Sequence, residues 1–149
     1  MPSDLAVATA VDKLARAPGW YVASLPGDWN YVTPSGGVLM AVAMRAMTVE
    51  LDDSELAPVS ANTLFCSPVP AGPLEIRVEV LRRGRAAVQV RAELSSTTQP
   101  GPGLEVSATF ARKREGPDAL GIDMPDVPAP HDCPEARGPA GRRDLELCL

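Results

Sequence analysis

Three runs of strict alternation dominate the second half of the chain. Leu74, Ile76, Val78 and Val80 alternate with Glu75, Arg77 and Glu79; Val88, Val90, Ala92 and Leu94 alternate with Gln89, Arg91 and Glu93; Leu104, Val106, Ala108 and Phe110 alternate with Glu105, Ser107 and Thr109. A period of two places like side chains on one face of an extended chain, so each run predicts a strand with one apolar and one polar face. The connections, Arg82-Arg83-Gly84-Arg85 and Ser95 to Gly103, are short, which predicts an antiparallel meander. A weaker alternation precedes them: Val59, Ala61, Thr63, Phe65 and Ser67 against Ser60, Asn62, Leu64 and Cys66. It predicts a fourth strand with both faces partly covered.

Before residue 52 the period is helical. From Gly36 to about Leu51, Val38, Leu39, Met40, Ala41, Val42, Ala43, Met44, Ala46 and Met47 put apolar groups on nearly every face, the pattern of a buried helix. Ser35 is a good N-cap residue, and Gly36 and Gly37 let another backbone or a ligand approach the free N–H groups of the first turn. Asp52 and Asp53 follow its end. Nearer the amino terminus, Ser3 or Asp4 caps an expected helix running to about Ala17, with Leu5, Ala8, Val11, Leu14 and Ala15 on one face, stopped by Pro18-Gly19. Two short extended pieces, Trp20 to Leu25 and Trp29 to Val32, flank a Pro26-Gly27-Asp28 turn.

One long apolar helix followed by about four antiparallel strands, with one or two further strands before it, predicts an α+β domain. A single curved antiparallel sheet wrapped around the helix buries every apolar face, the arrangement called the hot-dog fold. A helix lying across one face of a sheet would leave its far side wet and calls for a polar stripe, which Gly36 to Met47 lacks.

Composition narrows the class. At 149 residues and 45% hydrophobic the chain has room for one real core. No run reaches the 18 or so apolar residues of a bilayer span, since the best candidate, Gly36 to Leu51, is broken by Arg45 and Glu50, so no membrane role is expected. A net charge of −5 argues against a nucleic-acid binder recognised by bulk charge. Arg82, Arg83 and Arg85 crowd one turn and Arg112, Lys113 and Arg114 another; they read either as a seat for a small phosphorylated ligand or as solvated turn residues. Cys66, Cys133 and Cys148 are odd in number and widely spaced, with His131 the one imidazole, which predicts neither a metal site nor a disulfide framework. The first residues lack a signal-peptide pattern, and a reducing cytoplasm is the expected compartment. Half of the 16 prolines fall in the last fifty residues. The expected organisation is therefore a folded domain over 1–115 and a Pro-rich linker-like or disordered tail over 116–149.

Several segments together carry a resemblance. WNYVTPSGGVLM (Trp29 to Met40) followed by AVAMRAM, then PVSANTLFCSPVPAG, IRVEVLRRGR and LEVSATFAR, is similar to the N-terminal hot-dog repeat of bacterial acyl-CoA thioesterases of the type II, thioesterase-like superfamily, over roughly Trp20 to Arg114. The resemblance implies a hot-dog fold and an acyl-CoA or related thioester as ligand, with no cofactor. Members of that family carry two repeats joined by a Pro-rich linker, and their catalytic Asp, Thr or Ser and Gln belong to the second repeat. This chain offers one repeat and the segment MPDVPAPHDCPEA. Two copies would supply two repeats, so a homodimer is expected.

Thioester hydrolysis needs a polarised carbonyl, an attacking water and a slot for the acyl chain. The amino end of the central helix polarises carbonyls in hot-dog enzymes, and Gly36 and Gly37 suit that role or, equally, permit tight packing. Asp28 is the acidic residue nearest in sequence to the helix start, a candidate base or a plain turn residue. Asn62, with Ser60 and Thr63, either orients water or belongs to a polar outer face. Met40, Met44, Met47 and Phe65 are candidates for an acyl tunnel or for core, and Trp29 covers the site or anchors its loop. Arg82, Arg83 and Arg85 are the candidates for CoA phosphates. The functional expectation is an acyl-CoA thioesterase-like protein; the alternatives are a non-catalytic hot-dog module that binds acyl-CoA or supports a partner, or one half of a double hot-dog thioesterase. A dehydratase of the same fold pairs an Asp with a His near the helix, where this chain has no histidine.

Overall fold

The structure is a computed structural model that describes residues 4–15, 17–30, 32–99, 101–116, 121 and 125–133. Ser3, Tyr31, Cys148 and most of the expected tail lie outside the described residues. By contacts the chain divides into Met1–Arg114 and Glu115–Leu149. In the second unit Pro130–Asp132 forms a short 3-10 turn, in which His131 Nε2 stands 3.5 Å from Asp132 Oδ2.

The first unit holds helix α1 (Leu5–Ala8), strands β1 (Asp12–Lys13) and β2 (Trp20–Leu25), the long helix α2 (Gly36–Leu51), and strands β3 (Leu56–Phe65), β4 (Gly72–Arg83), β5 (Ala87–Ser96) and β6 (Leu104–Arg112). The six strands form one sheet in the order β1-β2-β4-β5-β6-β3, antiparallel throughout. The hot-dog fold and the β4-β5-β6 meander are present. β3 follows the helix in sequence but pairs with β6 at the far edge of the sheet.

The three alternating runs face the helix as their period requires. Leu74, Ile76, Val78, Val88, Val90, Ala92, Leu94, Leu104, Val106, Ala108 and Phe110 are buried, together with Val38, Leu39, Val42, Ala43, Ala46, Met47 and Leu51 of α2. β2 adds Tyr21, Ala23 and Leu25 to the same core. α2 ends at Asp52, whose left-handed backbone (φ 47°) and N–H to the Thr48 carbonyl close the last turn.

Four local expectations are corrected. The amino-terminal helix is a single turn: Asp4 caps it by accepting from the Ala6 N–H at 2.8 Å, but the Thr9 hydroxyl turns back to the Leu5 carbonyl at 2.7 Å, and Asp12 and Lys13 pair instead with Val22 and Tyr21 of β2. The turn expected at Pro26-Gly27-Asp28 is a 3-10 turn, Gly27–Trp29, which takes in Trp29, the expected start of the second extended piece, and Asn30 bridges to Pro34. Ser35 occupies the N-cap position of α2 without a side-chain hydrogen bond to the first turn. β3 is not covered on both faces: from Ala57 to Phe65 Thr63 alone is half-buried and the rest are exposed.

The helix is also less enclosed than its composition predicts. It packs on β4, β5 and β6, which leaves Gly37, Arg45, Thr48 and Val49 exposed and Met40, Ala41 and Met44 half-buried along one stripe. The stripe is polar only at Arg45 and Thr48, so the lack of a polar face misreported how much of α2 its own sheet covers. Among the described residues no helix is long and apolar enough to cross a membrane.

Candidate active site at the amino end of the long helix

The loop before α2 folds back on itself. The Asn30 N–H donates to the Gly27 carbonyl at 3.0 Å, and the Ser35 N–H to the Trp29 carbonyl at 3.3 Å, which brings the 3-10 turn beside the start of the helix. Val38 and Leu39 then donate to the Ser35 carbonyl at 3.0 and 3.2 Å. Among the described residues the Gly36 and Gly37 N–H groups make no hydrogen bond, and Ser35 does not cap them. Two donors are thus left at the positive end of a 16-residue helix.

Gly36 borders a cleft of about 500 Å³. Thr33, Pro34, Gly36 and Leu39 form its helix side; Phe65, Cys66, Ser67, Pro68 and Val69 form the other. The second wall is held by the residues leading into β6: the Cys66 and Ser67 N–H groups both donate to the Gly103 carbonyl, at 2.9 and 3.1 Å, and the Ser67 hydroxyl donates to the Pro102 carbonyl at 2.6 Å. A Cβ at Gly103 would meet Val69 Cγ2 at 2.4 Å and the Leu94 carbonyl oxygen at 2.6 Å, so glycine is what lets this loop lie against the sheet. Across the cleft the Phe65 ring touches Gly36, where a Cβ would come within 2.7 Å of Cζ.

Of the residues singled out in the sequence, the cleft gathers Gly36 and Phe65; Gly37, the next residue of α2, is exposed and does not line it. Asp28 is exposed in the 3-10 turn, one residue before Trp29, whose carbonyl holds Ser35. Trp29 is partly buried against the core, and its indole Nε1 is buried without a partner, which fits an anchor for this loop. Met47 is core, while Met40 and Met44 lie on the open stripe of α2 and do not line the cleft.

Two expected members are elsewhere. Phe65 meets the helix, so by alternation Thr63 and Ala61 share its face and Asn62 points to the other side of the sheet, in register with Ser107. Asn62 lies with Ser60, Leu81, Gln89, Ser107 and Thr109 in a shallow, mainly apolar hollow on that outer face, and the sheet separates it from the helix. Arg82, Arg83 and Arg85 sit at the β4–β5 turn. Arg83 Nη2 donates to the Leu51 carbonyl at 3.4 Å, which puts the cluster beside the carboxyl end of α2, a helix length of about 24 Å from Gly36.

That end holds a network of its own. The fully buried Tyr21 donates its hydroxyl to Glu50 Oε2 at 2.5 Å, and Lys13 Nζ reaches the same oxygen at 2.9 Å. Burial, then the Glu50 carboxylate, pushes the Tyr21 phenol up to about 12. Desolvation works to raise Glu50, but the hydrogen bonds from Tyr21 and Lys13 carry its carboxyl below the usual value. Arg112 binds Asp53 at 2.6 Å and also Glu55, tying the end of β6 to the turn after the helix.

Thr33, Cys66 and Ser67 line the cleft and were not singled out as site residues. The wall formed by 66–69 depends on contacts to Pro102 and Gly103 more than thirty residues later, and no local pattern announces it.

A family model for the acyl-CoA thioesterase N-terminal domain matches residues 25–111. The chain belongs to that family. Its match takes in the 3-10 turn, α2, the cleft and the sheet from β3 to β6. Among solved structures a provisionally assigned thioesterase II from Thermobifida fusca is 26% identical with a TM-score of 0.75, covering 87% of this chain and 47% of that one. A hot-dog protein of unknown function from Alicyclobacillus acidocaldarius (23% identity, TM-score 0.73, 91% and 50% covered) and an acyl-CoA thioesterase II from Mycobacterium marinum (18%, 0.70, 88% and 47%) share the fold. The chain spans about half the length of these structures. No curated protein matches it.

Proposed function

We propose that this family member seats the thioester of an acyl-CoA in the cleft at the start of α2 and hydrolyses it, acting as a pair of hot-dog units formed by two copies of the chain. The observation that carries the reading is that, among the described residues, the Gly36 and Gly37 N–H groups are unbonded and Gly36 lines a mainly apolar cleft. The thioester carbonyl oxygen accepts from these donors, and the helix dipole favours the oxyanion that forms when water adds to the carbonyl carbon. Asp28, in the 3-10 turn folded beside the helix start but outside the cleft lining, is the carboxylate assigned to take the proton of that water once substrate is bound. Collapse of the tetrahedral species breaks the C–S bond, releasing the fatty acid and CoA thiol, which regains a proton. Two copies are supported by the exposed β3 edge and by the open stripe of α2, both of which a second unit covers. The proposed compartment is the cytoplasm, in keeping with the free thiols of Cys66 and Cys133.

The test is a panel of acyl-CoA substrates with thiol release as readout. Asp28→Asn is expected to lower kcat by about 10²-fold or more with KM little changed. Wild-type turnover that survives in Asp28→Asn removes the base assignment. One observation favours a second reading, a non-catalytic acyl-CoA-binding module: among the described residues no Asp, Glu, His, Lys or Arg lines the cleft. Binding of an S-alkyl-CoA thioether without turnover of any thioester supports that module instead.

A further inference from the structure

One side chain in the cleft has no part in the chemistry just described. Phe65 is the last residue of β3, the outermost strand of the sheet, and is 56% exposed. Its ring nevertheless lies against the first residue of α2: a Cβ on Gly36 would meet Cζ at 2.7 Å and Cε1 at 3.0 Å. The space that a side chain at 36 would fill is taken by the ring. Leu39 on the helix side and Val69 on the same side as Phe65 are buried in the core, at 4% and 3% exposure. The cleft therefore combines two apolar residues fixed by the core with one exposed aromatic ring.

We infer that Phe65 sets which acyl groups the cleft admits, by shortening the slot beside Leu39 and Val69 when its ring rests on Gly36 and lengthening it when the ring swings off that seat. The inference rests on the thioester-binding reading and adds its selectivity element. Gly36 belongs to the same device, because only a residue without a Cβ lets the ring rest there. With the ring in place compact acyl groups fit, and long chains bind only after displacing it. Each methylene newly seated on apolar walls is worth about fourfold in affinity.

This arrangement makes an unusual demand on mutants. Phe65→Ala removes the ring, and Gly36→Ala adds a methyl that pushes the ring off its seat; one shrinks a side chain and the other enlarges one, yet both open the slot. The measurement is the dissociation constant of the full chain for two non-hydrolysable probes, S-butyl-CoA and S-dodecyl-CoA, by calorimetry, so a chain that does not turn over still reports. Both variants are expected to shift the ratio of the two constants toward the dodecyl probe by about tenfold or more, and Phe65→Trp to shift it the other way. Phe65→Leu, which keeps the strand apolar, guards against misfolding and is expected to give an intermediate shift. A ratio unmoved within twofold in Phe65→Ala and Phe65→Leu overturns the inference, as does a Gly36→Ala shift opposite in sign to Phe65→Ala. Wild-type protein that binds neither probe overturns the thioester reading and this inference with it.

Discussion

The two edges of the sheet are built on opposite plans. At one edge β2 is covered by the two-residue β1, whose Asp12 and Lys13 are charged and whose Lys13 is held by Glu50 and stands over the Tyr21 ring. At the other edge β3 presents ten residues, LAPVSANTLF, without a single charge, and all but Leu56 and Thr63 are exposed. Short, charged strands blunt an edge against unwanted pairing, whereas long, uncharged ones invite it. The contrast teaches that the same sheet is finished on one side and open on the other, and that the candidate site lies at the open side, where Phe65 ends β3.

The largest effect that bears on this contrast is expected at the open edge. Ala61→Lys puts a cation on the exposed β3 without touching the core and should convert a dimer to a monomer, weakening self-association by about 100-fold or more, read by light scattering after size exclusion. A wild-type chain that is already monomeric at micromolar concentration breaks the contrast at once. At the finished edge Tyr21→Phe removes the hydroxyl that donates to Glu50, and should cost about 2 kcal/mol in urea unfolding while leaving the oligomeric state alone. Dissociation caused by Tyr21→Phe would mean that the two edges are not independent.

Smaller changes follow from titration of the same edge. The Tyr21 phenol is raised to about 12 in the fold, so the unfolded chain ionises first as pH climbs past about 10. Stability is then present below pH 10 and lost between about 10 and 12. Glu50 is lowered, so its contribution is present above the ordinary carboxylate value and lost as pH falls through the folded value beneath it. Denaturation midpoints across pH check both signs, and Tyr21→Phe should flatten the alkaline limb. Smallest of all, Arg85→Glu at the β4–β5 turn is expected to leave affinity for S-alkyl-CoA within about twofold at physiological salt, since the turn stands a helix length from the cleft. A larger loss in equilibrium binding would return the arginine cluster to the site.

What the sequence disclosed tracks the strength of its periodicity. β4, β5 and β6 were readable because each buries most of one face against the helix, and α2 because its apolar positions recur along sixteen residues. β3 gave a weak pattern because it is an edge strand with little to bury, and β1 gave none because two residues paired on β2 carry no period at all. Gly36 and Gly37 were legible as free donors at a helix start. Asn62 was legible as a polar group but its side of the sheet was not, because composition does not say which way a strand residue faces; the contact of Phe65 with Gly36 gives that side. The wall from Cys66 to Val69 was hidden because it is made by a loop docking on Gly103.

Pro58 gives the open edge a definite length. Proline has no N–H to offer a neighbour, and the register with β6 slips between Pro58 and Ser60, so the local twist departs from that of a flat ribbon. The uninterrupted part of the outer rim is then residues 60–65, a ruler of about 20 Å. Its zero is the bulge and its last mark is Phe65. Any strand laid along that ruler finishes beside the aromatic ring that rests on Gly36, so what docks on the rim and what enters the cleft meet at one shared boundary.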